Sequence, residues 1–221
     1  MPPRTHLPTK ALLRRVHRMD SHWASDHLQA IRTLMERSAL YRRALAPIMI
    51  VSGTCGTAGA ILAHFLEVGP RFSLFWLGVG IVTLAAALFL VRKQALGEHE
   101  PFWSPPTRRV TTAVLPGFLV GLMVGLSDAL RNGAAAWIVA PAWITIYGCA
   151  LHAAAFFMQR GIKLFGWILI LAGSGLLIVT PSVPSLQQAQ ATNYLMGFFF
   201  GVLHLAYGIY LYFTERQRNR P

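Results

Sequence analysis

Apolar residues fall in six long blocks, and polar residues collect between them. The blocks are Leu45–Leu66, Phe72–Val91, Val110–Ser127, Ala134–Phe157, Leu164–Thr180 and Tyr194–Phe213. A helix needs about 20 residues to cross the hydrocarbon of a bilayer, and all six blocks lie near that length. A helix also satisfies its own backbone in lipid, which an irregular segment does not. The pattern predicts an all-α, polytopic membrane protein with six transmembrane helices. Its organising unit is the hairpin formed by the fourth and fifth blocks, joined by the short basic turn Met158-Gln-Arg-Gly-Ile-Lys163.

A different pattern precedes the first block. Leu28, Ile31, Met35 and Ala39 recur at three- and four-residue spacing, with Arg32, Glu36, Arg37 and Arg43 around them. Ser25 stands as an N-cap and Asp26 in the first turn, so residues 25–43 read as an amphipathic helix. Such a helix lies on the inner leaflet and leads into the first span, or docks a partner. Residues 1–24 are basic, carry Pro2, Pro3 and Pro8, and are expected to be poorly ordered. This basic region is too long for the n-region of a secretory signal peptide. The chain thus divides into a tail (1–24), a juxtamembrane helix (25–43), a membrane domain (44–214) and a basic C-terminal tail (215–221).

Composition agrees with this division. Charged residues make up 13% of the chain, against about 25% in soluble domains. The net charge of +12 would suggest nucleic acid in a soluble protein, but here its distribution gives another meaning. Lys and Arg number nine before the first span, four after the second, two after the fourth and three after the sixth. Only Arg71 and Arg131 fall on the opposite side. The positive-inside bias then places both termini in the cytoplasm, and the basic face attracts anionic lipid rather than nucleic acid. Phe72 and Trp137 outside, and Trp167, Tyr210 and Tyr212 inside, fit interfacial aromatic belts. Cys55 and Cys149 both lie in apolar blocks and read as buried small hydrophobes, not as a disulfide framework.

Within the spans, small residues form faces. Gly117, Gly121 and Gly125 repeat every fourth residue, and Gly197, Gly201 and Gly208 share a face of the last span. Such faces let helix backbones approach closely, within one chain or in a homo-oligomer. Three histidines lie on small-residue faces. His64 aligns with Gly53 and Ala60, His152 with Pro141, Thr145 and Gly148, and His204 with Gly197, Gly201 and Gly208. These are the candidate intramembrane polar sites, expected to face the bundle interior. The simplest role is a neutral imidazole hydrogen-bonding across two helices. Their depths differ, so the three cannot share one metal. His152 and His204 could pair as two ligands or as haem axial partners, but no HExxH, CxxCH or clustered carboxylate accompanies them. No metal, cofactor or catalytic residue is therefore expected. No Asp, Glu, Lys or Arg stands in the middle of any span, and Asp128 and Arg131 are expected to pair at the outer end of the third.

Several short motifs occur in a characteristic order. They are Ala30-Ile-Arg-Thr-Leu-Met-Glu-Arg-Ser38, Phe102-Trp-Ser-Pro-Pro-Thr-Arg-Arg109, Tyr147-Gly148, Lys163-Leu-Phe-Gly-Trp167 and Gly197-Phe-Phe-Phe-Gly-Val-Leu-His-Leu-Ala-Tyr-Gly208. Over residues 26–214 the chain resembles an uncharacterised bacterial six-helix integral membrane protein family. That resemblance implies the bacterial inner membrane and supplies no catalytic residue. The extended basic segment 1–24 departs from the family's pattern. The leading expectation is a non-enzymatic protein, regulatory or partner-binding through its cytoplasmic N-terminal helix. The alternatives are a small oligomeric transporter or channel, and a haem or metal protein using His152 and His204.

Overall fold

The computed structural model describes residues 45–97, 103–158 and 160–218, with only the backbone of Pro106, Arg160 and residues 215–218. The tail 1–24 and the amphipathic helix expected over 25–43 lie outside the described residues. Every regular element among the described residues is helical. Six helices among them are long and apolar enough to cross a membrane. They are α1 (Leu45–Phe65), α2 (Phe72–Gly97), α3 (Pro105–Leu130), α4 (Ala136–Ala154), α5 (Arg160–Val179) and a composite sixth. The last consists of α6 (Ala189–Met196), a π-helical turn (Gly197–Val202) and α7 (Leu203–Arg218). Most helices outrun their apolar blocks, α3 by five residues at its start, because a helix need not end where the hydrocarbon does. The fourth block instead closes in a 3-10 turn, Ala155–Phe157.

Burial is uneven, and α4 is central. Over half of its most apolar window is buried (56%), against 6% for α2 and for α3. One core cluster joins Met49 of α1, Ile144 and Leu151 of α4, Phe165 and Leu169 of α5, and Leu211 of α7. A second joins Phe72 and Trp76 of α2 to Val139 and Trp143 of α4 and Met196 of α6. Phe72 is therefore not a lipid-facing belt residue: it is 1% exposed and stacks on Trp143 with ring centres 6.0 Å apart. Tyr210, Tyr212 and Trp167 are exposed.

Small residues set the helix crossings. Gly117 packs on Ala150, and Gly125 on the Trp143 indole and Leu77. Gly121 contributes its carbonyl, which accepts from Trp143 Nε1 at 2.7 Å. The glycine face of α3 is thus spent against α4. Gly148 of α4 and Gly166 and Gly173 of α5 make a second close crossing, with backbone against backbone. The third joins α1 to the last span. There Gly197 meets Ala60, Gly201 meets Thr57, Gly53 meets Leu205, and Gly208 meets Ile50.

Three expectations need correction. Asp128 does not pair with Arg131. Its carboxylate is 3% exposed and accepts from the Ser73 hydroxyl at 2.5 Å and the Ala135 N–H at 2.9 Å. The turn explains this: Asn132 and Gly133 have φ of 58° and 69°, which folds the chain back so that the Ala135 amide reaches the carboxylate. Gly133 is needed twice, since a Cβ there would strike the Pro70 carbonyl. Cys149 is exposed rather than buried, because α4 turns Gly148 and Ala150 towards its neighbours. His64 is also exposed. It lies one turn beyond Ala60, on the side of α1 where Tyr194 of α6 stands.

Candidate functional site

The polar centre of the bundle is His204. Leu203 donates its amide to Phe198 O, a five-residue step that defines the π-turn. One extra residue in a helix frees backbone groups from their usual partners, and such turns recur at functional positions. Here the Phe199 carbonyl takes the His204 side chain, with Nδ1 at 2.7 Å. A carbonyl only accepts, so Nδ1 carries the proton. In the neutral ring Nε2 is then an acceptor, and the Tyr147 hydroxyl of α4 donates to it at 3.1 Å. This tautomer is assigned from the chemistry of the partners. The imidazole is 1% exposed.

Aromatic rings enclose the pair. Phe165 of α5 meets the imidazole edge-on at 4.9 Å between centres, and Phe200 stacks on it at 6.0 Å. Phe118 of α3 lies parallel to Tyr147 at 6.2 Å. Contributions therefore come from α3, α4, α5 and the π-turn. Chemically, the Tyr147 bond ties the last span to α4, while the Phe199 bond stays within the span and holds the ring; both imidazole nitrogens are matched.

The other two histidines lie apart from it. His152, in the last turn of α4, packs against Phe156 and Trp167. Its Nδ1 is buried without a partner among the described residues. His152 and His204 share no neighbouring ring. His64 stacks with Tyr194 of α6 at 6.1 Å, and its Nδ1 lies 3.2 Å from the Tyr194 hydroxyl. The pair borders a shallow groove with Thr57 and Phe198. Among the described residues no group of three or more His, Cys, Asp or Glu could hold a metal ion.

Two polar connections escaped sequence reasoning. Ser73, Asp128 and Ala135 bind the start of α2, the end of α3 and the start of α4. Nearby, Trp76 Nε1 of α2 donates to Asn193 Oδ1 of α6 at 2.9 Å. The only signal for the first was an acid at a span end next to an Asn-Gly turn. For the second there was none, because its partners are 117 residues apart. Comparison with protein-family models, with curated proteins and with solved structures finds no match. What the architecture defines, among the described residues, is an all-helical fold with six helices long and apolar enough to cross a membrane.

Proposed function

We propose that this chain is a non-enzymatic, multi-pass protein of the bacterial inner membrane that works through a cytoplasmic protein partner docked on residues 25–43. Both termini lie in the cytoplasm. The observation that carries the orientation is charge: eighteen of the twenty Lys and Arg residues fall on one side of six apolar helices. Membership of the bacterial six-helix family belongs to the same reading and rests on the ordered motifs alone. Support for the absence of catalysis comes from how buried polar groups are used. His204, Asp128 and Asn193 each bind a group on another helix, so their lone pairs and protons serve packing. A photo-crosslinking residue at Leu28 or Met35, in cells, tests the partner. One discrete protein adduct is expected. Lipid adducts alone at both positions would leave a helix lying flat on the leaflet and sink the partner reading.

One observation favours a second reading, a small oligomeric transporter or channel. α2 and α3 leave most of their surface uncovered, and Gly78 and Gly80 of α2 have nothing within 4 Å of a built Cβ. A homo-oligomer would cover such faces. Mass in detergent and solute uptake into proteoliposomes decide it. A visible absorption spectrum decides the haem alternative. The purified protein is expected to be colourless, and a Soret band lost in both His152→Ala and His204→Ala would overturn that.

A further inference from the structure

The first turns of α3 carry two arginines on one side. Pro105, Arg108, Arg109, Thr112 and Ala113 follow at three- and four-residue intervals, and Phe157 stands against them from the turn after α4. Between them is an open groove of about 500 Å³. Its walls at Pro105, Ala113 and Phe157 are apolar. The Thr112 hydroxyl already donates to Arg108 O at 2.8 Å, which leaves the two guanidinium groups as the free polar chemistry. Both arginines are exposed, and no Asp or Glu lines the groove among the described residues. The same face of α3 continues as Leu115 and Leu119, 50% and 51% exposed. Cationic and apolar surfaces therefore run into each other without a break. On the far side of the turn, Lys163 Nζ lies 5.5 Å from the Phe156 ring centre.

We propose that this groove holds the phosphate-ester head of an anionic phospholipid, with acyl chains lying along Leu115 and Leu119. Two guanidinium forks suit phosphate oxygens, which accept paired N–H donors. The volume falls in the range of small-ligand sites and suits a headgroup rather than a whole lipid. A free anion would use the arginines and gain nothing from the apolar walls or the leucines below. The inference rests on the reading of this end as the basic membrane interface, and it gives the attraction for anionic lipid a particular place.

Native mass spectrometry of the full chain in detergent, titrated with phosphatidylglycerol or phosphatidylcholine, tests it. The wild type is expected to retain phosphatidylglycerol preferentially. Each basic residue near an anionic surface is worth about a factor of five, so Arg108→Gln with Arg109→Gln should weaken that preference roughly 25-fold. Lys163→Gln, outside the groove, should leave most of it. Ala113→Leu fills the groove and keeps both charges, and it should also reduce binding. If the arginine variant does not fold, Ala113→Leu decides alone. Unchanged preference in the arginine variant, or retention in Ala113→Leu, would overturn the site. Displacement by excess inorganic phosphate would replace the lipid with a free anion. Detergent removes sidedness, so an error in orientation would be seen only by topology labelling and would not be mistaken for failure here.

Discussion

At the scale of single residues, His204, Asp128 and Asn193 act as couplings between helices. His204 reaches Phe199 and Tyr147 at once, so its replacement disturbs two helices. Gln keeps a donor and an acceptor, whereas Leu leaves the Tyr147 hydroxyl unmatched. Interhelical hydrogen bonds in membranes contribute about 0.6 kcal/mol on average and seldom above about 2. His204→Gln is therefore expected to lower the thermal midpoint in detergent less than His204→Leu, with neither abolishing folding. Equal shifts would remove Tyr147 from the account. The glycines of α3 also differ from one another. A Cβ at Gly121 would sit 3.7 Å from the Trp143 ring, an ordinary contact, whereas at Gly117 it would be 2.7 Å from the Ala150 Cβ. Gly117→Leu should destabilise by about 1–3 kcal/mol through overpacking. Gly121→Ala and the outward-facing Leu122→Ala should change little. Similar losses for Gly117→Leu and Leu122→Ala would mean that this face is not a packed interface. Sequence spacing shows that the three glycines share a face. It does not rank them, because the ranking depends on where the large Trp143 side chain lies.

At the scale of elements, the π-turn adjusts the register of the last span. Along α1 the contact residues are Ala60, Thr57, Gly53 and Ile50; along the partner they are Gly197, Gly201, Leu205 and Gly208. The intervals match except for the first, where three residues of α1 face four of the partner. The extra residue lies within Gly197–Val202. The shared face of Gly197, Gly201 and Gly208 was legible in the sequence, but the π-turn was not. A uniform turn of about 100° per residue assumes one kind of helix, and the choice between α and π is made by the fit against α1. The same uniform turn put His64 on an inward face. It gave the side of α1 that meets Tyr194 but could not say that this side stays open at His64. Inserting an alanine after Phe198, which is 51% exposed, should push His204 and Gly208 out of register. Its cost is expected to exceed by far the roughly 1 kcal/mol of a typical point substitution, while Phe198→Ala should be mild. Comparable stability of the two variants would mean that the extra residue does not set the register.

At the scale of the whole molecule, apolar block length made the six helices legible, since each block must hide its own backbone from lipid. The hierarchy among them was hidden. α2 is as apolar as any span, yet it packs little, because hydropathy does not separate contact with lipid from contact with protein. Orientation depends on a quantity that packing does not carry, the imbalance of basic residues, and labelling measures it directly. Ser104 looks suitable from the sequence, but it is 4% exposed and bonded to Thr107, so a cysteine there would be a poor reporter. Gly97 is exposed and has open space around a built Cβ. Ser185, between the fifth and sixth spans, is exposed as well. With Cys55 and Cys149 first replaced, Ser185→Cys should react with a membrane-impermeant maleimide on intact cells. Gly97→Cys should react only after the membrane is opened. The end of α2 and the start of α3 carry Arg92, Lys93, Arg108 and Arg109, while residues 181–193 carry no Lys or Arg; retaining the former in the cytoplasm therefore costs less than translocating it. Labelling of Gly97→Cys from outside, with Ser185→Cys protected, would invert the chain in the membrane and place residues 25–43 where no cytoplasmic partner could reach them.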